Sequence, residues 1–301
     1  MPGGSDEKLI KRGVDVADSL MFQEDKIWSR HSNDKIDIGE ELAKVIRALN
    51  KAVPLKEKLR GISIGSSDEP QFRILETAFR GGLYLLDMEK AALDIIGERI
   101  LRQYTDHVTP ICADYTKVFI ERVKTGLFLK KWLKGKKVNL ITMHHSLYYS
   151  GEDTWQTILE NLYTVILSKT AAVHIVLMAA KDTDEFSTTW LYNHFAGKYF
   201  GHRNNQDLLR FASQLRKNPV FSGAQILVRT NRVKFFVDDF EKFMAVIWMI
   251  LLYPHVHLYS RKQREEITEF VYKKFWKKKR PLIQSQQHLV VYKGLPFNGI
   301  V

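Results

Sequence analysis

The chain is short of several things that would each point to a definite class. It has one cysteine, Cys112, in 301 residues, so no disulfide can form within it, and a reducing compartment with a buried, inert thiol is expected. Its longest apolar run, MAVIWMILLY at Met244–Tyr253, is 10 residues, about half of the roughly 20 needed to span a bilayer. The opening MPGGSDEKLIKRG is polar and charged and lacks the form of a secretory signal. A cytoplasmic protein is therefore expected. There is no internal repeat, low-complexity tract or long Gly/Ser linker. No His, Cys or carboxylate set has metal-ligand spacing, so no metal is expected. The adjacent His144 and His145 would face opposite sides of a strand and could not chelate one ion together. The balance, 45% hydrophobic and 27% charged, is that of a folded globular protein.

Acidic residues are scarce in two places. The net charge is +12. Lys117–Lys137 carries eight Lys/Arg against one Glu, and Arg261–Arg280 carries nine against three. These segments account for the whole excess. They fit either a solvated surface or a site for nucleic acid, anionic lipid or an acidic partner. Aromatic residues do not interleave regularly with the lysines, so nucleic acid is not favoured.

Apolar runs alternate with amphipathic stretches. Strands are expected at Leu59–Gly65, Gly82–Asp87, His107–Cys112, Val138–Met143, Ala172–Ala179, Ala224–Val237 (one strand or a hairpin) and His288–Lys293. Helices are expected at Asp6–Met21, Ile38–Asn50, Pro70–Arg80, Glu89–Tyr104, Val118–Leu133, Thr154–Leu167, Asp184–Phe200, Gln206–Lys217, Asp238–Tyr253 and Arg264–Trp276. Pro70 suits a first helical turn, where its missing N–H costs nothing. The alternation predicts an α/β fold, a Rossmann-like seven-stranded and mostly parallel sheet with helices on both faces. Residues 1–55 read as an N-terminal helical cap. Residues 56–301 read as the main domain, with a helical insertion at about 238–280 before the last strand.

In such a sheet ligands bind beyond the C-terminal strand ends, where strand order reverses. The stretch GISIGSSDEPQFRIL, Gly61–Leu75, runs strand, glycine, helix, and so presents backbone N–H groups at Gly65. The second strand ends at Asp87, 22 residues later, where a ribose-binding carboxylate belongs. Asp87 equally fits a cap for the helix that follows. After the third strand, Asp114 could accept from an adenine amino group and Tyr115 could pack on the ring, or Asp114 could be a plain turn residue. The fourth strand ends in MHHSLYY, Met143–Tyr149.

These segments resemble the class I S-adenosylmethionine-dependent methyltransferases and, more narrowly, are similar to histamine N-methyltransferase and its relatives. The likeness rests on ISIGSSDEPQFRIL, on LLDMEKAAL, and on VNLITMHHSLYY followed by TILENLYTVIL and VHIVLMAA, over about Ile62–Phe200. It implies S-adenosylmethionine as cofactor. Gly65, Ser66 and Ser67 would lie at its methionine part, Asp87 and Met88 at the ribose, Asp114 and Tyr115 beside adenine, and His144 against it through the backbone. His145, Tyr148 and Tyr149 would form the acceptor pocket. In HSND, His31–Asp34, Asp34 would be a carboxylate for a cationic amine; an exposed helix cap is its other role.

The family's loop repeats glycine at alternate positions, and here Ser67 and Glu69 stand at two of them. Glycine lets backbone approach a ligand and reach positive φ. Serine permits less, and Glu69 places negative charge near a ligand carboxylate. The implied reaction is in-line methyl transfer to a small-molecule acceptor, an amine or heteroaromatic nitrogen, with His145 as the base if the acceptor arrives protonated. Two other classes are compatible with the residues. One is a nucleic-acid methyltransferase docking through the basic segments. The other is a non-catalytic protein of the same fold.

Overall fold

The structure is a computed structural model and describes residues 3–18, 21–65, 71–255 and 258–295. The expectations for Ser66, Ser67, Glu69 and Pro70 fall outside the described residues. The chain forms two compact units: residues 1–37, 178–205 and 231–286 make the first, and residues 38–177, 206–230 and 287–301 the second.

Seven strands form one sheet: β1 (Arg60–Ile64), β2 (Gly82–Asp87), β3 (Val108–Cys112), β4 (Val138–His144), β5 (Leu167–Met178), β6 (Ala224–Phe235) and β7 (Leu282–Lys293). Their order is β3-β2-β1-β4-β5-β7-β6. Four neighbouring pairs, β3/β2, β2/β1, β1/β4 and β4/β5, run parallel. The chain winds outward from β1 to β3 and then returns to the other side of β1 with β4. The reversal therefore lies between β1 and β4.

The side chains explain why these strands are buried on both faces. Along β1, β4 and β5, Ile62, Ile64, Ile141, Met143, Val173 and Ile175 point one way, into a core shared with α6 (Tyr115–Phe119), α7 (Arg122–Lys131), α8 (Glu152–Asn161) and α10 (Leu208–Lys217). Residues of opposite parity, among them Leu83, Leu85, Leu140 and Val290, meet α3 (Asp34–Ala52), α4 (Gln71–Ala78) and α5 (Lys90–Gln103). At about 25 cal/mol per Å² of apolar area, these layers are the main stabilising contribution in the second unit.

The first unit holds α1 (Gly3–Asp15), α2 (Met21–His31), α9 (Thr188–Phe200), α11 (Phe240–His255) and α12 (Arg261–Lys274). Its core is rich in rings: Trp28 stacks on Phe235 with centroids 5.4 Å apart, and Trp248 donates from Nε1 to the Gly13 carbonyl at 2.8 Å. Glu24 on α2 is 1% exposed, and among the described residues neither carboxylate oxygen has a hydrogen-bond partner. Burial pushes its pKa from 4.5 up to about 7.

Several expectations need correction. Helix α2 lies in a stretch read as having none. The basic segment forms two helices, because the chain breaks at Ile120–Glu121 and restarts at Arg122. The helix expected to run to Leu167 ends at Asn161. A π-turn over Leu162–Ile166 follows, and β5 starts at Leu167, five residues before the apolar run at Ala172. The last strand begins at Leu282 rather than His288. Ala224–Phe235 is one strand, not a hairpin. Cys112 is exposed rather than buried: it ends β3, the edge strand of the sheet, which among the described residues pairs on one side only.

Candidate functional site

The predicted cofactor residues of the second unit converge at the C-terminal ends of β3, β2, β1 and β4, four strands adjacent in that order. The register carries each strand end onto the next. Ile64 pairs with Leu86, and the Gly65 N–H donates to the Leu86 carbonyl at 2.8 Å. Asp87 pairs with Cys112, and its carbonyl accepts from the Ala113 N–H at 2.9 Å. On the other side, His144 pairs with Val176, whose carbonyl accepts from the His145 N–H at 2.8 Å.

Gly65 sits at the reversal point and must be glycine for two reasons. Its φ is +70°, in the left-handed region. A Cβ built there would lie 2.6 Å from the Ser146 Cβ, closer than real carbon contacts come. The loops after β1 and β4 therefore meet backbone to side chain at the switch point.

Asp87 is half-buried. One carboxylate oxygen accepts from the Glu89 N–H at 2.8 Å, turning the chain toward α5, whose N-terminal cap is Glu89 and not Asp87. Burial raises the Asp87 pKa; the Glu89 and Met88 amides oppose that, and the Glu89 charge adds to it. Met88 is 68% exposed beside it.

Asp114 is the cap of α6. It accepts from the Thr116 N–H at 3.0 Å and the Thr116 hydroxyl at 2.6 Å, and Lys117 Nζ lies 3.3 Å away. Burial pushes its pKa up, but those hydrogen bonds and the lysine together bring it below the usual value. Tyr115 is buried, and its hydroxyl lies 2.8 Å from the Ser146 carbonyl, to which it donates, and 3.1 Å from Ser150 Oγ. It fastens the loop after β3 to the loop after β4, the same loop that Gly65 touches.

His144 and His145 part company. His144 is 2% exposed. Its Nε2 lies 3.2 Å from His174 Nδ1 on β5, and His174 Nε2 lies 3.2 Å from His288 Nδ1 on β7. Nothing in the sequence pointed to this chain of three buried imidazoles, since His174 and His288 are 114 residues apart. Burial, then the neighbouring imidazoles His144 and His288, drive the His174 pKa well down, so the middle ring is neutral. Next to it, the Ser63 and Thr142 hydroxyls bond at 2.8 Å, and Thr142 pairs with His174 in register. His145, by contrast, has φ +54° beyond the end of β4 and is half-buried. Its ring stacks on Tyr148, with centroids 6.0 Å apart and planes 13° from parallel. Tyr148 is half-buried and Tyr149 is 42% exposed, both on a single 3-10 turn over Leu147–Tyr149.

Asp34 belongs to the first unit. It begins α3, is fully buried rather than exposed, and lies 3.3 Å from Lys35 Nζ.

No protein-family profile and no curated protein matches the sequence. Solved structures do match. A structure described as a candidate methyltransferase from Bacillus halodurans C-125 superposes with a TM-score of 0.50 at 12% identity, over 84% of this chain and 100% of that one. The YcgJ protein from Bacillus subtilis gives 0.51 at 9% identity, over 83% and 98%. A candidate sarcosine dimethylglycine methyltransferase from Galdieria sulphuraria gives 0.50 at 12%, over 86% of each chain. At such identities the likeness is one of architecture, and the chain carries the doubly wound, mostly parallel seven-stranded sheet of the class I methyltransferase fold.

Proposed function

We propose that the chain binds S-adenosylmethionine at the C-terminal ends of β3, β2, β1 and β4 and transfers its methyl group to a small acceptor. The observation that carries the reading is the glycine at the switch point: Gly65 has positive φ, leaves no room for a Cβ, and directly follows β1, the strand paired with the one that ends at Asp87. That constellation suits a nucleoside-bearing ligand.

The residues present fit this cofactor. Gly65 is exposed at the strand end, so its backbone is accessible to a ligand on the side away from Ser146, which fills the space a Cβ would take. Asp87 is half-buried and accepts from the Glu89 N–H through one oxygen, and it would take the ribose hydroxyls. Bound S-adenosylmethionine would supply a methyl group already activated on a sulfonium, which calls for no covalent enzyme intermediate. The residues of this chain would then orient the acceptor and exclude water. His145 and Tyr148 are stacked beyond β4. They would form one wall of the acceptor site with Tyr149, and His145 would take a proton from an acceptor that arrives charged. Asp114 and Tyr115 would act mainly by holding the loops after β3 and β4, given the bonds they already make. The finer reading, a nitrogen acceptor as in histamine N-methyltransferase, rests on the sequence resemblance.

Asp87→Ala should weaken S-adenosylmethionine binding about 30-fold, from loss of charge-assisted hydrogen bonds of about 2 kcal/mol, with little change in the unfolding midpoint. Titration calorimetry on the two proteins measures it. Equal affinities would remove the ribose assignment.

A further inference from the structure

The two basic segments differ in how their charge is met. On α12 and just after it, Arg261, Lys273, Lys274, Lys277 and Lys279 each lie within 4 Å of a carboxylate, on Glu265, Glu269, Glu185, Asp6 and Asp238. Five of that segment's nine cations are thus ion-paired. In the other segment, Lys124 has Glu121 at 2.5 Å and Lys117 has Asp114. Among the described residues, Lys130, Lys131, Lys134 and Lys136 have no such ion pair, and all four are exposed.

What stands between those lysines is apolar. Helix α7 buries Thr125 and Phe128. Its outward arc, at 100° per residue, carries Lys130, Val123, Leu127 and Lys131 in angular order. Val123 is 74% exposed and Leu127 59%. They are one helical turn apart and so form a single apolar spot flanked by ammonium groups. Gly126 borders it with nothing within 4 Å of where a side chain would project.

We propose that this face of α7 docks on an anionic phospholipid surface. Two aliphatic side chains set between cations match the boundary between headgroups and acyl chains, where apolar groups insert shallowly and each nearby lysine adds attraction. A nucleic-acid site would place stacking rings among the cations. Here the centre is aliphatic, and the nearby Trp132 is half-buried under Lys131 Nζ, 5.0 Å from its ring. The inference is independent of the methyl-transfer reading.

The test is cosedimentation of the full chain with phosphatidylserine-containing vesicles and with pure phosphatidylcholine vesicles, at low and high salt. Partitioning should favour the anionic vesicles by about 10-fold or more and fall with salt. Val123→Ser/Leu127→Ser should lower binding about 5- to 10-fold while keeping the preference for anionic lipid. Lys130→Glu/Lys131→Glu should lower it about 10- to 100-fold. Lys273→Glu/Lys274→Glu, where both lysines are already ion-paired, should change it little. Circular dichroism on each variant confirms that the fold is kept. Absence of anionic preference, an unaltered Val123→Ser/Leu127→Ser variant, or tighter binding to an oligonucleotide than to the vesicles would each overturn the proposal.

Discussion

Gly65→Ala should cost about 2–4 kcal/mol of stability, and Ser146→Gly should return about half or more of it in the double variant. The first figure has two parts. A non-glycine residue at φ +70° costs about 1 kcal/mol or more. The new Cβ also meets the Ser146 Cβ at 2.6 Å, an overpacking cost of about 1–3 kcal/mol. Removing the serine side chain relieves the second part and leaves the first. Ser146→Ala keeps the offending carbon and should rescue nothing. The comparison has an added control, because among the described residues Ser146 Oγ is buried without a hydrogen-bond partner, so loss of that hydroxyl sacrifices no bond to them. Urea unfolding of the single and double variants gives the coupling directly. Equal rescue by Ala and Gly at position 146 would mean that the loops after β1 and β4 do not meet there.

Glu24→Gln should stabilise the protein by about 3 kcal/mol at pH 8 and by almost nothing at pH 4. The native carboxyl holds its proton to about pH 7, whereas the unfolded one releases it near 4.5. Each unit of that gap corresponds to about 1.4 kcal/mol. As pH rises through 4.5 the unfolded chain ionises first, so stability falls until about pH 7 and is level above it. Glutamine matches the shape and the neutral state and does not titrate, so its advantage grows over the same window. The difference between the two proteins isolates this group from others, such as His174, whose depressed pKa makes stability fall with acid below about 6.5 instead. Unfolding free energies measured from pH 4 to 8 test it. A flat difference would show that Glu24 is ionised and stabilised in the native state.

The fold was legible in the sequence because its central strands are buried on both faces. The nearly unbroken apolar run from Val173 to Met178, buried throughout, marks a central parallel strand, and the short buried β1 around Ile62 and Ile64 agrees with it. Gly65 and Asp87 were legible for a related reason: each is the residue at which an apolar run stops. What lay hidden is set by contacts between segments remote in sequence. A histidine in an apolar strand looks the same whether it packs alone or hydrogen-bonds across the sheet, so the His144–His174–His288 chain left no local trace. Asp34 carries the pattern of an exposed cap, and only tertiary packing buries it. The start of β5 was missed because Ser168–Thr170 are polar, with Lys169 exposed and its neighbours half-buried, although they continue the strand. Cys112 followed an apolar stretch, but strand order, which composition does not encode, put it at the sheet edge.

Amide hydrogen exchange with and without S-adenosylmethionine tests the central claim most directly. Peptides covering Gly65, Asp87–Glu89, Ala113–Thr116 and His145–Ser146 should gain protection together, while those of α7 and α12 should not change. Protection confined to other segments, or none at all with the cofactor in large excess, would contradict a binding site built on these four strand ends.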